Sequence, residues 1–292
     1  MQPPTRSTSK RRRTSRQWTS TSGRQGVTVY PELAPGISAL AVFWGSAVLL
    51  GVALVVGGSR RHGWKTGRVI AATAGLALLF FLGTKAMYIA ENPLALWSRS
   101  WRDLLLRGFR DPGGLLVAAI GAPLILWVLG LPRLAFFDHV APIVALSSAV
   151  ARVGCLLHGC CFGGPTSVPW AVRYPAASRA LMSQVALGAV APSARASLPV
   201  HPLPLYFAIA GVIMFLALKW WEPYRSYDGQ SALLLVAMWG AAKAAIEPFR
   251  GWSAFDAPTV GGAIGVGVGV LAAGLLVGLE FARHRPGVHN RR

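Results

Sequence analysis

Acidic residues are nearly missing from this chain: 10 Asp and Glu stand against 29 Lys and Arg, giving a net charge of +19 over 292 residues. Charge of either sign is scarce, at 13% of residues, while hydrophobic residues make up 53% and mean hydropathy is +0.48. So little polar surface excludes an ordinary water-soluble domain and points to a lipid bilayer. Cysteine is almost absent as well. There are three, too few for a disulfide framework, and all fall between 155 and 161, which excludes bridging across the fold. The excess of basic charge does not indicate nucleic acid, because the Lys and Arg residues lie between long apolar runs instead of on one solvated face. Anionic lipid headgroups are the expected partner.

What is there is mostly apolar sequence. Spans of about 20 residues are needed to cross the hydrocarbon, and seven are expected near 37–57, 69–90, 113–131, 136–157, 203–221, 230–249 and 258–282. The fold class is therefore an all-α polytopic membrane protein of about seven transmembrane helices. Residues 1–28, rich in Ser, Thr and Arg, read as a disordered basic tail with no apolar core for a signal peptide. Residues 29–283 form the membrane domain, and 284–292 a basic C-terminal tail. The one long polar excursion, about 158–202, carries prolines and small residues and is expected to be a small extramembrane cap with little helix. Counting Lys and Arg close to the spans favours an outside N-terminus and a cytoplasmic C-terminus.

Ionisable residues inside a membrane cost about 2.5–3.5 kcal/mol each on insertion scales, so each implies a partner or a function. Four stand out: Lys85 in the second span, Arg152 at the end of the fourth, and Lys243 and Glu247 in the sixth. Lys243 and Glu247 are four residues apart and share a helix face, which Arg250 continues at the interface. An internal ion pair between helices is one account. The cations outnumber the acid, however, and an anionic ligand such as a lipid phosphate would neutralise the remainder.

The cysteines lie in ARVGCLLHGCCFG, residues 151–163. Cys155, His158, Cys160 and Cys161 read C-x2-H-x-C-C. This run lacks the paired spacing of known zinc fingers, so neither metal nor cofactor is expected. Arg152 is placed to lower a thiol pKa and make a nucleophile; small apolar cysteines also pack well where a helix ends. Gly154 and Gly159 allow close approach of backbone or ligand.

The same run aligns without a gap on the signature G-R-x-G-N-F-x-N-G-E-x-W-G of the bacterial prolipoprotein diacylglyceryl transferases, matching at Arg152, Gly154, Gly159 and Gly163. His201-Pro202-Leu203-Pro204-Leu205-Tyr206-Phe207 resembles that family's H-P-x-Q-L-Y-E. Trp239-Gly240 through Lys243, Glu247 and Arg250 is similar to its Y-G-x-x-R-x-x-x-E-F-x-R. Weaker echoes are Trp44-Gly45 and Gly113-Gly114.

The resemblance implies a multi-pass enzyme of the bacterial plasma membrane that moves the diacylglyceryl group of phosphatidylglycerol onto the lipobox cysteine of a prolipoprotein. No cofactor is implied. Carried over position by position, Arg152 and Lys243 become phosphate-binding cations, with Glu247 orienting one of them and Arg250 at the interface. Tyr206 and Trp239 line the site. This chain departs from the pattern where the family shows Asn, Asn and Glu and this sequence has Cys155, His158 and Cys160. It also lacks the third-span His of the family's H-G-G, reading GLLVAAIGA there. A base must then come from His158 or His201, with Cys155 or Cys160 as a site-lining or nucleophilic thiol. Two alternatives stay open: a lipid-binding member without transfer activity, and a thiol-based metal or redox protein.

Overall fold

The structure is a computed structural model that describes residues 27–28, 32–34, 37–93, 100, 111–176, 178–250 and 260–283. The expected tails lie outside these residues except Val27–Thr28 (β1), which pair in parallel with Val172–Arg173 (β4). Glu32–Ala34 (β2) and Ile37–Ser38 (β3) form a short antiparallel hairpin ahead of the first helix.

The remaining longer regular elements among the described residues are helices. In chain order the helices are α1 (Ala39–Ser59), α2 (Thr66–Glu91), α3 (Asp111–Val128), α4 (Arg133–His158), α5 (Arg179–Ala186), α6 (Leu203–Trp221), α7 (Gln230–Ile246) and α8 (Val260–Arg283). Five segments are long and apolar enough to cross a membrane: Ala39–His62, Thr66–Glu91, Arg133–His158, Leu203–Tyr224 and Gln230–Phe249. Gly113–Val128 and Gly265–Leu279 are shorter apolar helices. Each of the seven expected spans coincides with a helix to within a few residues, five of them among those long and apolar enough to cross a membrane. The third span ends at Val128 rather than 131, because Gly130 (φ 63°) turns the chain and Pro132 opens the next helix.

Helix α4 is the hub, packing against α1, α6 and α7, while α2 pairs with α3 and α7 with α8. Small residues let these helices approach closely. A Cβ on Gly240 would lie 2.4 Å from Gly269 Cα, and one on Gly83 2.4 Å from the Gly113 carbonyl oxygen. Such contacts suit a solvent in which apolar burial gives helices little drive to associate. Large apolar side chains point outward from the bundle, among them Leu49, Ile120, Trp220 and Leu271, each about 70% exposed as a lipid-facing belt requires.

Asp138 joins two helices at the end away from the cysteines. Its side chain is fully buried on α4 and accepts from Arg225 Nη1 at 3.2 Å and from the backbone N–H groups of Gly229 (2.6 Å) and Ala232 (3.0 Å). A carboxylate therefore satisfies the orphan donors and the positive dipole end at the start of α7. At the opposite end, residues 159–202 fold over α4 and α6. They contain one short helix, α5, N-capped by the Ser178 hydroxyl accepting from Leu181 N–H. They also contain the bridges Pro165↔Val200, Val172↔Val200 and Pro175↔Ala196.

Candidate functional site

The site lies where α4 ends, α6 begins and α7 runs into a 3-10 turn. Helix α4 stops because Gly159 takes a left-handed conformation (φ 75°), in which glycine has no Cβ to clash. The N–H groups of Gly159 and Cys160 both donate to the Cys155 carbonyl, the second at 3.3 Å. A Cβ at 159 would also meet the buried Tyr174 ring at 2.9 Å. Two residues on, Cys161 is itself left-handed (φ 58°), a conformation that non-glycine residues adopt at some cost. The result of these two turns is convergence: the sulfurs of Cys155, Cys160 and Cys161 lie within 4.8 Å of one another. All three are free thiols, graded from buried Cys155 through Cys160 to exposed Cys161.

Electrostatics separates the three. Outside the spans, hydrogen bonding to Cys155 and Cys161, with burial, pushes the Cys160 thiol up. Hydrogen bonds from Cys155 and Cys160, helped by the fields of Arg152 and Arg250, hold Cys161 well below the ordinary thiol value. Within the cluster the arginine fields thus favour the thiolate at Cys161, a residue that the sequence reading did not single out beside Cys155 and Cys160.

The two expected phosphate cations converge from different helices. The Arg152 guanidinium carbon on α4 lies 5.1 Å from the centroid of Phe207 on α6, and Lys243 Nζ on α7 lies 5.9 Å from the same ring. Phe207 is buried and stacks at 6.1 Å on Trp239. It occupies the last position of the second motif, where the resembling family has Glu, so neither cation finds an acid there. Lys85 is buried on α2, with its Nζ 5.5 Å from the Phe81 ring centroid.

Glu247 acts on Lys243 through its charge and on Arg250, the next residue past the 3-10 turn, through a hydrogen bond, its Oε1 accepting from Arg250 Nε at 2.8 Å. The turn's geometry explains this, since it brings position 250 back over 247. The second oxygen, Oε2, is buried with no hydrogen-bond partner among the described residues.

Gly163 and Gly164 tie the signature to the other motifs. Gly163 N–H donates to the His201 carbonyl and Gly164 N–H to the Phe249 carbonyl, each at 2.9 Å, while His201 N–H donates to the Gly164 carbonyl at 3.0 Å. A Cβ at 163 would lie 2.7 Å from both His201 Cβ and Phe249 O, so only glycine fits. The His201 ring is thereby fixed 5.0 Å from the Phe249 ring. His201 Nδ1 is 3.1 Å from Tyr206 Oη, which accepts from Trp170 Nε1 at 2.8 Å. Burial moves the His201 pKa below its ordinary value. His158 is the last residue of α4, its Nδ1 buried without a partner among the described residues. Gly154 packs elsewhere: a Cβ there would meet Phe43 on α1 at 2.8 Å, which makes it a helix-crossing residue.

Phe207 and Trp170 were not singled out from the sequence. An aromatic in an apolar helix, or a tryptophan in a loop, has no local mark distinguishing a site residue from packing. The arrangement can hold an anion between Arg152 and Lys243, keep water partly away with Phe207 and Trp239, and offer imidazoles and thiols on the neighbouring turn.

Comparison with known proteins bears on this geometry. A family model described as prolipoprotein diacylglyceryl transferase matches residues 33–279. A phosphatidylglycerol–prolipoprotein diacylglyceryl transferase of Bordetella parapertussis is 28% identical over 272 residues, spanning 85% of this chain and 90% of that protein. One from Chromohalobacter salexigens is 30% identical over 231 residues, covering 75% and 74%. One from Clostridium tetani is 26% identical over 211 residues, covering 70% and 77%.

Proposed function

Since the chain belongs to the prolipoprotein diacylglyceryl transferase family, we propose that it transfers the diacylglyceryl group of phosphatidylglycerol to the cysteine thiol of a prolipoprotein. The observation that carries this for the chain's own residues is that Arg152 and Lys243, from different helices, both approach the ring of Phe207. A pair of half-buried cations is matched by a phosphodiester, and most tightly by one whose bridging oxygen is gaining charge.

In the reaction the acceptor sulfur attacks the sn-3 carbon of the diacylglyceryl group. A carbon–sulfur bond forms, the carbon–oxygen bond to phosphate breaks, and glycerol-1-phosphate leaves with the bonding pair. Arg152 and Lys243 hold the phosphate as that charge grows, Arg152 through its planar fork and Lys243 as a point charge. The thiol proton must go to a base. His201 serves through Nε2 when its Nδ1–H donates to Tyr206 Oη, and the buried, unpartnered Nδ1 of His158 is the second acceptor within the site. Glu247 positions Arg250 at the mouth. Tyr206 and Trp239 line the site, Trp239 by stacking on Phe207.

The same proposal places the chain in the bacterial plasma membrane with seven spans, α1 to α4 and α6 to α8. Residues 159–202 then form a cap on the outer side, where secreted precursors arrive, and the C-terminus is cytoplasmic. The test is complementation of a bacterium depleted of its own transferase, scored by the mass shift of a reporter lipoprotein. A shift that disappears with Arg152→Ala supports the proposal. Good membrane expression with no shift overturns it.

A further inference from the structure

We propose that Cys155, Cys160 and Cys161 form a three-thiolate zinc site whose open fourth position takes the thiol of the acceptor cysteine. This rests on the transfer activity proposed above, because the fourth ligand is that reaction's nucleophile. The geometry is close to what the metal needs. Zinc binds thiolate sulfur at about 2.3 Å, which in a tetrahedron sets the sulfurs about 3.8 Å apart. The three Sγ atoms already lie within 4.8 Å of one another, so small side-chain rotations complete the set.

Chain spacing obscured this site. Cys155 and Cys160 bracket four residues, and no second spaced pair follows to mark a finger. The third ligand is the adjacent Cys161, a neighbour that chelates only because its backbone is left-handed. The two turns at 159 and 161 are together what gathers the sulfurs. His158, although inside the run, lies outside the converged group. Three protein ligands with one free position is the arrangement of catalytic rather than structural zinc. The free side is accessible, since the ligands run from buried Cys155 to exposed Cys161.

Charge and chemistry agree. Three thiolates and a zinc ion carry one net negative charge, and a fourth thiolate makes it two. The reaction needs a thiolate acceptor, and a thiol that coordinates zinc loses its proton outright. The third span supplies no histidine for that task. In the step proposed, the acceptor thiol binds zinc and its proton passes to His201 or His158. The metal-bound sulfur then attacks the sn-3 carbon, the carbon–oxygen bond breaks, and the thioether product leaves as a poorer ligand. Zinc undergoes no redox change, so no oxidant or reductant is required.

The test uses the full chain in nanodiscs containing phosphatidylglycerol. Metal content is measured first, then zinc is removed and cobalt(II) added as a spectroscopic substitute. The expected result is one zinc per chain and a cobalt spectrum with thiolate charge-transfer bands, which Cys160→Ser weakens. A lipobox-cysteine peptide should shift the cobalt bands as a fourth thiolate joins, and the same peptide with serine for cysteine should not. Substoichiometric zinc with no charge-transfer band in the unmutated chain overturns the site, whether or not the variants fold. Metal binding without a peptide response overturns the open position. A full peptide response with no diacylglyceryl transfer would count against the transferase activity while leaving the metal site standing. Undiminished transfer in excess chelator would do the reverse.

Discussion

At the scale of single residues the account turns on Arg152, Lys243 and the ring between them. Removing one charge-stabilising donor from such a site costs about 10²–10³ in rate, so Arg152→Ala should lower kcat/KM by that order. Arg152→Lys should retain part of the activity, keeping the charge and losing the fork. Phe207→Leu should lower apparent affinity several-fold, since a cation–π contact to a buried ring from half-buried cations is worth about 1–2 kcal/mol. Lipid-titrated transfer rates separate these three outcomes. A second prediction concerns pH. Burial lowers His201 below its ordinary value of 6.5, so its neutral, proton-accepting form persists on the acid side of 6.5. The kcat/KM profile should stay level as pH falls to 6.5 and decline only below it. His201→Ala should abolish that decline, and a limb at or above 6.5 would assign the base elsewhere. Arg152 and Lys243 were legible in the sequence because a cation within an apolar run is conspicuous. Phe207 was not, because an aromatic there looks like every other packed side chain. Nor was the pairing of Glu247 with Arg250, which depends on a 3-10 turn instead of a continued α-helix.

At the scale of elements, two devices hold the site's helices in place. Asp138 fastens α4 to the start of α7, accepting two backbone N–H groups and Arg225 while fully buried. Asp138→Ala leaves the N–H groups of Gly229 and Ala232 without their acceptor, while Arg225 keeps Asp228 at 3.4 Å, and each unsatisfied buried donor costs about 1–3 kcal/mol. Thermal unfolding in detergent should fall accordingly, with Asp138→Asn between the two. Gly163 is the second device. Gly163→Val would drive a side chain into His201 and the Phe249 carbonyl, displacing the candidate base. Transfer should then be lost while the helical signal in circular dichroism is retained; a variant with unchanged kcat would show that the 163–201 clasp does not position the base. Hydropathy alone revealed the helices, since each apolar run is long and bounded by Gly, Pro or charge. The gathering of the three thiols was hidden, because it follows from left-handed backbone at Gly159 and Cys161 and not from residue spacing.

At the scale of the whole molecule, the outward apolar side chains and inward cations belong to one design. The belt around Leu49, Ile120 and Leu271 meets lipid tails, while the site opens at the end of α4 where a headgroup would sit. A lipid can then present its phosphate to Arg152 and Lys243 while its acyl chains stay in the bilayer. In the proposed topology the acceptor reaches the same place from the side carrying residues 159–202. The measurement that tests this most directly uses the purified chain in vesicles, a cysteine-containing lipobox peptide and mass spectrometry of the product. The account predicts that the peptide gains one diacylglyceryl group when the vesicles contain phosphatidylglycerol, and that Arg152→Ala removes the gain without unfolding the protein. No gain from the folded chain, or an equal gain with Arg152→Ala, would contradict it.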